Sequence, residues 1–380
     1  MSDAHARTAL VTGVAGQDGI YLAHHLRGLG YRVVGTVLPG SATPDLMAAY
    51  LTGVTVIELD VRDRPGFGTA LDAIRPDEVY NLAALTSVGA SWRKAELVAE
   101  TNAMSVLRML EELVAYRDRY GEAPRFYQPS SSEMFGISDQ QPQTETTPHY
   151  PRSPYAAAKS FAHHLTVNYR DSYGLFTCNG TLYNHESPLR GQQFVTRKIT
   201  RAAAEIALGR RDRVTLGNLD VRRDWGSAAD YVRSMHLMLQ QDAPTDLIIA
   251  TGQSRPLSEL LRVAFEAASL GDPAPYVEQD PDLMRPADVM DLQGDPTKAR
   301  ELLGWQPTQD FAAVIGHMVQ VDMQRIESGV EESATYLYAC PQVTNGGPRR
   351  DSGTARRPTT SSDPPTPGSS SAGARARRDA

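Results

Sequence analysis

The sequence predicts an α/β chain built on a doubly wound parallel sheet, followed by a smaller C-terminal lobe. Two observations predict it. Up to residue 184, nearly continuous apolar and β-branched runs alternate with helical spacing, the pattern of strands covered on both faces of a parallel sheet. After Asn184 the alternation gives way to helices mixed with short strands. Residues 1–184 therefore read as one domain and 185–330 as a second lobe, with segments that return to the first.

The elements follow in order. "TALVTG" (8–13) is a short apolar strand, and "QDGIYLAHHLRGLG" carries helical spacing at Ile20, Leu22, Leu26 and Leu29 before closing on Gly30. "YRVVGTVL", "VTVIELDV" (54–61) and "EVYNLAAL" (78–85) are the next strands. A long helix is expected over 93–119, then the strand "RFYQP", a helix from Pro154, and a sixth strand in "LFTCNGTLYN". Beyond it, helices are expected over 194–209, 227–240, 256–269 and 310–327, with strands in "RVTLG", "DLIIATG" and "PYVEQD". Residues 341–380 hold almost no large apolar side chain, so they cannot offset their ordering entropy and are expected to be a disordered tail.

Composition excludes several classes. With 41% hydrophobic and 22% charged residues, the chain has an ordinary globular balance. No run approaches the roughly 18 apolar residues of a membrane span, and "MSDAHARTALVTG" lacks the basic-then-apolar order of a signal peptide. Cys178 and Cys340 form no disulfide framework and no metal site; Cys178, in an apolar run, reads as a free buried thiol. A cytoplasmic setting is expected. The net charge is −7, and the seven arginines and three aspartates after Cys340 contribute +4, which leaves −11 for the body. A body so acidic is a poor binder of nucleic acid, so an anionic ligand needs a few placed cations and helix ends.

"VTGVAGQDG" places Gly13, Gly16 and Gly19 in a GxxGxxG spacing between a strand and a helix. In a Rossmann-type dinucleotide site the first glycine permits the tight turn. The second lets the backbone approach a pyrophosphate, and the third lets helix pack on sheet. Gln17 and Asp18 lie within that loop. An acid at the end of the second strand would mark NAD and an arginine NADP. "GTVLPGSATPDL" supplies neither there, so both cofactors stay open. Ser41 could bind a phosphate or a ribose hydroxyl. Asp60 and Val61, ending the third strand, are placed toward an adenine, and Leu82, Ala83, Ala84 and Thr86, ending the fourth, toward a nicotinamide.

"SPYAAAKS" puts Tyr155 and Lys159 four apart at the start of a helix, hence on one face. A nearby ammonium favours phenolate, and oxidising an alcohol needs a group to take the hydroxyl proton. The hydroxyl cluster "SSSEMFG" lies at the end of the fifth strand.

GxxGxxG, a strand-end Ser and YxxxK together resemble the extended short-chain dehydrogenase/reductases, the nucleotide-sugar epimerases and dehydratases. Longer strings, among them "GQDGIYL", "FYQPSSSEMFG", "YNHESPLRGQQFVTRKI", "RRDWGSAADYV" and "RPADVMDLQGDPTKARELLGW", resemble one family within them, the GDP-mannose 4,6-dehydratases, over about residues 7–325. The resemblance implies a lyase that takes GDP-mannose to its 4-keto-6-deoxy form, a homo-oligomer (dimer or tetramer), NADP or NAD as cofactor, and no metal. It gives Ser131 the role of holding the reacting sugar hydroxyl, with Ser132 bonding the same region. Epimerases and reductases need Tyr155 and the hydroxyl but no dedicated carboxylate, so Glu133, as the group that takes the C5 proton, separates a dehydratase from them. The alternative for Glu133 is a buried ion pair with an arginine such as Arg190. His185 and Arg190 match cofactor-touching positions, and Asn184, Lys198, Arg223 and Arg285 match nucleotide-sugar contacts. The chain departs from the family in lacking arginine after the second strand and histidine near Ser87. An epimerase or reductase of the same fold, and a dehydratase of another GDP-sugar, remain alternatives.

Overall fold

The structure, a computed structural model, describes residues 6–283 and 289–338. The expected disordered tail, Cys340 and Arg285 lie outside the described residues.

Seven strands form one parallel sheet. They are β1 (Thr8–Thr12), β2 (Arg32–Val37), β3 (Thr55–Glu58), β4 (Glu78–Asn81), β5 (Arg125–Ser131), β6 (Thr177–Leu182) and β10 (Leu247–Ile249), in the spatial order β10-β6-β5-β4-β1-β2-β3. The strand order reverses beside β1, which opens a crevice at the carboxyl ends of β1 and β4, the place where ligands bind in such sheets. Side-chain bonds tie these ends together. The Thr12 hydroxyl donates to Asn81 Oδ1 (2.9 Å) and accepts from the Ala83 N–H (3.0 Å), while Asn81 Nδ2 donates to Gln128 Oε1 (2.8 Å).

On one face of the sheet, α1 (Gln17–Gly28) and α6 (Ala228–Leu239) bury Tyr21, Leu22, Val232 and Met235. On the other, α2 (Arg64–Ile74), α3 (Ser105–Tyr120) and α4 (Pro154–Tyr173) bury Phe67, Leu71, Leu110 and Tyr169. A separate core forms where α5 (Val195–Ala207), α7 (Leu257–Ala267) and α8 (Phe311–Ser328) close on β8 (Val214–Leu216), around Ile199, Leu216, Phe265 and Ile315. The two short strands β7 (Asn184–Glu186) and β9 (Arg222–Ser227) pair in parallel outside the main sheet.

Two expected elements take a different form. The helix expected over 93–119 is a short helix, Ala95–Ala99, then a π-helical turn over Glu100–Met104, then α3. The wide turn turns Asn102 inward, where its amide bonds both the N–H and the carbonyl of Leu85 and fixes the loop after β4. The sixth strand ends at Leu182, and the chain leaves the sheet through Tyr183 to form β7. That departure carries Asn184 and His185 over the crevice.

Candidate active site

The β1–α1 turn is built as its glycines require. Gly13 has φ +68°, and a Cβ there would lie 2.8 Å from the Ala83 Cα. A Cβ on Gly19 would lie 2.5 Å from the Gly13 carbonyl oxygen and 2.6 Å from the Val14 Cα, all backbone. The turn thus packs onto the end of β4; the Ile20 N–H makes the first bond of α1, to the Gly16 carbonyl (2.9 Å), so the N–H groups of Gln17, Asp18 and Gly19 before it have no partner within the helix, a cradle that fits a pyrophosphate. Gly19→Ala is expected to cost about 1–3 kcal/mol by overpacking and to weaken dinucleotide binding. Paired thermal melts and binding titrations check both.

Beside the turn lies a cavity of about 420 Å³, lined by residues from both sides of position 184. It gathers Asp18, Leu82, Ala84, Thr86, Ser131, Ser132, Glu133, Tyr155, Lys159, Asn184, His185, Arg190, Lys198 and Arg223 from the sequence-derived set. It does not gather Gly13, Gly16, Gln17 and Gly19, which form the turn itself, nor Ala83, Asp60 and Val61. The Asp60 carboxylate is held by Arg62 at 2.6 Å. That arginine's hydrogen bonds hold the carboxyl below its ordinary pKa despite partial burial.

β5 delivers Ser131 as its last residue, and one 3-10 turn, Ser132–Met134, swings Glu133 into the cavity; the Glu133 N–H donates to Ser131 Oγ at 3.3 Å. α4 starts at Pro154, with Ser153 Oγ accepting from the Ala156 N–H (3.1 Å). This cap sets Tyr155 and Lys159 facing the end of β5, where Lys159 Nζ donates to the Pro129 carbonyl at 2.9 Å. The Tyr155 phenol shares the cavity with the Ser131 hydroxyl, which favours its ionised form, and Lys159 Nζ lies 6.0 Å from the centre of its ring. Burial pushes the phenol up to about 12, opposed by the Ser131 hydroxyl, and pulls the ammonium down to about 8, opposed by the charge of Asp18.

The alternative reading of Glu133, a buried ion pair with an arginine such as Arg190, is met by a different arginine. Arg190 Nε lies 3.2 Å from Glu186, while Arg223 Nε lies 3.9 Å from Glu133, a long ion pair. Arg223 is buried and its Nη1 donates to the carbonyls of Arg222 and Val289. Lys198 lines the cavity with no ion-pair partner among the described residues.

Sequence reading missed Glu186, a fully buried acid whose i,i+4 spacing to Arg190 was the available signal. It also missed Gln193, Thr196 and Trp225, which line the cavity. The function of Asp18 was only half legible: its Oδ2 accepts from His185 Nε2 at 2.9 Å, across 167 positions of sequence. His185 Nδ1 meets the Tyr183 carbonyl at 2.8 Å. Both partners are acceptors, so both ring nitrogens donate and the ring is an imidazolium. Burial opposes the charges, yet the pair holds His185 above and Asp18 below their ordinary pKa values.

Linkage fixes the sign of the pH dependence. The histidine contribution is complete below its unfolded value and is lost as pH rises through the raised folded value. The aspartate contribution is complete above its unfolded value and is lost as pH falls through the lowered one. Asp18→Asn is therefore expected to lower the melting temperature most between about pH 4 and 6.5, and progressively less in alkaline buffer. Thermal melts across pH check this.

Among the described residues no cluster of His, Cys, Asp and Glu could hold a metal, and no described helix is long and apolar enough to cross a membrane.

The family model described as GDP-mannose 4,6 dehydratase matches residues 10–318. The chain is 45% identical over 327 residues to GDP-mannose 4,6 dehydratase 2 of Arabidopsis thaliana, covering 84% of this chain and 87% of that protein. Among solved structures it is similar to Thermus thermophilus UDP-glucose 4-epimerase in complex with NAD, with TM-score 0.71, 26% identity and coverage of 84% and 99%. It is also similar in fold to RMD from Pseudomonas aeruginosa complexed with NADPH, with TM-score 0.70, 21% identity and coverage of 84% and 98%. The match across nearly all of the described fold establishes that this chain belongs to the GDP-mannose 4,6 dehydratase family.

Proposed function

We propose that this chain is a hydro-lyase that converts GDP-mannose to GDP-4-keto-6-deoxymannose and water. One observation carries the reading. The Glu133 carboxylate stands in the same cavity as Ser131, Tyr155 and Lys159, so a group suited to elimination adjoins one suited to ionising an alcohol. The activity for which the Arabidopsis thaliana relative is named supports it.

A nicotinamide dinucleotide held at the glycine turn supplies removal of hydride from C4, its return at C6, and, when oxidised, a positive ring that favours phenolate. The residues of the chain manage the protons. Ser131 holds the C4 hydroxyl toward Tyr155, whose phenolate takes the hydroxyl proton while Lys159 stabilises the negative oxygen. The C4 ketone makes the C5 hydrogen acidic. Glu133 takes that proton and passes a proton to the C6 oxygen, which departs as water. The proton taken from O4 returns to C5, so one water is lost and no net oxidation occurs. Asn184, Lys198 and Arg223 face the nucleotide diphosphate, for which guanidinium and ammonium groups are suited. By resemblance Arg285 belongs to this set. The lobe after Asn184 thus supplies the nucleotide-sugar half of the site and the sheet supplies the dinucleotide half.

Incubation with GDP-mannose and either NAD or NADP tests the reading. It expects the 4-keto product, followed by its absorbance in alkali. Absence of the product with both cofactors would remove it.

A further inference from the structure

The stretch of chain that follows Arg32 along β2 and returns through β3 carries a single sign of charge. Between Arg32 and Arg62 the sequence has no lysine, arginine or histidine, but it has Asp45, Glu58 and Asp60. Glu58 is the last residue of β3 and lies in register with Val37, the last of β2. Its Oε1 accepts from the Gly40 N–H at 3.0 Å, which draws the carboxylate over the loop that leaves β2. Its other oxygen takes no hydrogen bond from the described residues. Ser41 spends its hydroxyl locally, donating to Thr43 Oγ1 (3.0 Å) and accepting from the Thr43 N–H (3.2 Å). Arg62, the nearest cation along the chain, is matched by Asp60 at 2.6 Å and also feels the charge of Glu100.

In this sheet the adenosine ribose of a dinucleotide on the β1–α1 turn lies at the end of β2. There an acceptor carboxylate suits a 2′-hydroxyl and a cation suits a 2′-phosphate. We propose that Glu58, reaching across from the neighbouring strand, is the residue that makes this chain select NAD over NADP. Its second oxygen accepts from the ribose 2′-hydroxyl, and its charge repels a 2′-phosphate, for which the described residues between Arg32 and Arg62 supply no cation. The proposal rests on the reading that the glycine turn holds a nicotinamide dinucleotide, and is independent of the sugar chemistry.

Equilibrium binding of NADH and NADPH to the full chain without sugar, followed by calorimetry, tests it. NADH is expected to bind at least about tenfold more tightly than NADPH. Glu58→Gln keeps an acceptor for the Gly40 N–H and removes the charge, so it should bring the two affinities to within about threefold. Glu58→Lys should invert their order. Equal or tighter NADPH binding by the unaltered chain, or an unchanged ratio in both variants, would overturn the proposal. Binding of neither dinucleotide would overturn the cofactor reading, and the proposal with it.

Discussion

Glu133→Gln is expected to produce a chain that makes a ketone and loses no water. The amide fills the same space beside Ser131 but cannot accept the C5 proton, so the rate of 4-keto-6-deoxy product formation should fall by about a hundredfold or more. The Tyr155–Ser131–Lys159 arrangement is untouched by the change, so oxidation at C4 proceeds. Quenching with borodeuteride would trap that ketone as a hexose carrying deuterium at C4 and an intact C6 hydroxyl. Product formation at close to the unaltered rate would show that another group takes the proton. The neighbouring Arg223, 3.9 Å from the carboxylate, is the charge that the substitution leaves behind. Because its Nη1 also bonds two backbone carbonyls, it has support of its own.

Lys159→Met is expected to remove activity at an earlier step. Burial, only partly opposed by Ser131 and Arg190, raises the Tyr155 phenol to about 12, and Lys159 carries an ammonium on the same helical face. Without it the phenolate loses its support, and oxidation at C4 should fall by about a hundredfold or more. The acidic limb of the kcat–pH profile should move upward, which a merely structural lysine would not cause. Tyr155→Phe is the companion measurement: no ketone should be trapped, in contrast to Glu133→Gln.

The parts of the fold legible in the sequence were those where burial writes a local pattern. β1, β2, β4 and β5 are apolar runs covered on both faces, and GxxGxxG and YxxxK are local spacings whose chemistry depends on one turn or one helix. The helix α2 escaped notice because Pro65, Gly66 and Gly68 break its apolar spacing; the Asp63 side chain, accepting from the Gly66 N–H, starts it instead. β9 reads as polar, "RRDWGS", yet most of it is buried, because Asp224 is satisfied by the N–H groups of Thr251 and Gly252 and Arg223 by carbonyls. The Asn102–Leu85 and Asp18–His185 contacts join distant segments, so no window of sequence contains them. The role of Glu133 was legible only in combination, since one carboxylate after a strand acquires meaning beside a tyrosine two elements later.

The most direct measurement follows the hydrogen originally at C4. With GDP-mannose deuterated at C4, the account predicts a 4-keto-6-deoxy product with one water fewer and the label in its C6 methyl group, observed by deuterium NMR. A sugar of unchanged composition with the label still at C4 and inverted configuration there, or label lost to solvent, would contradict it.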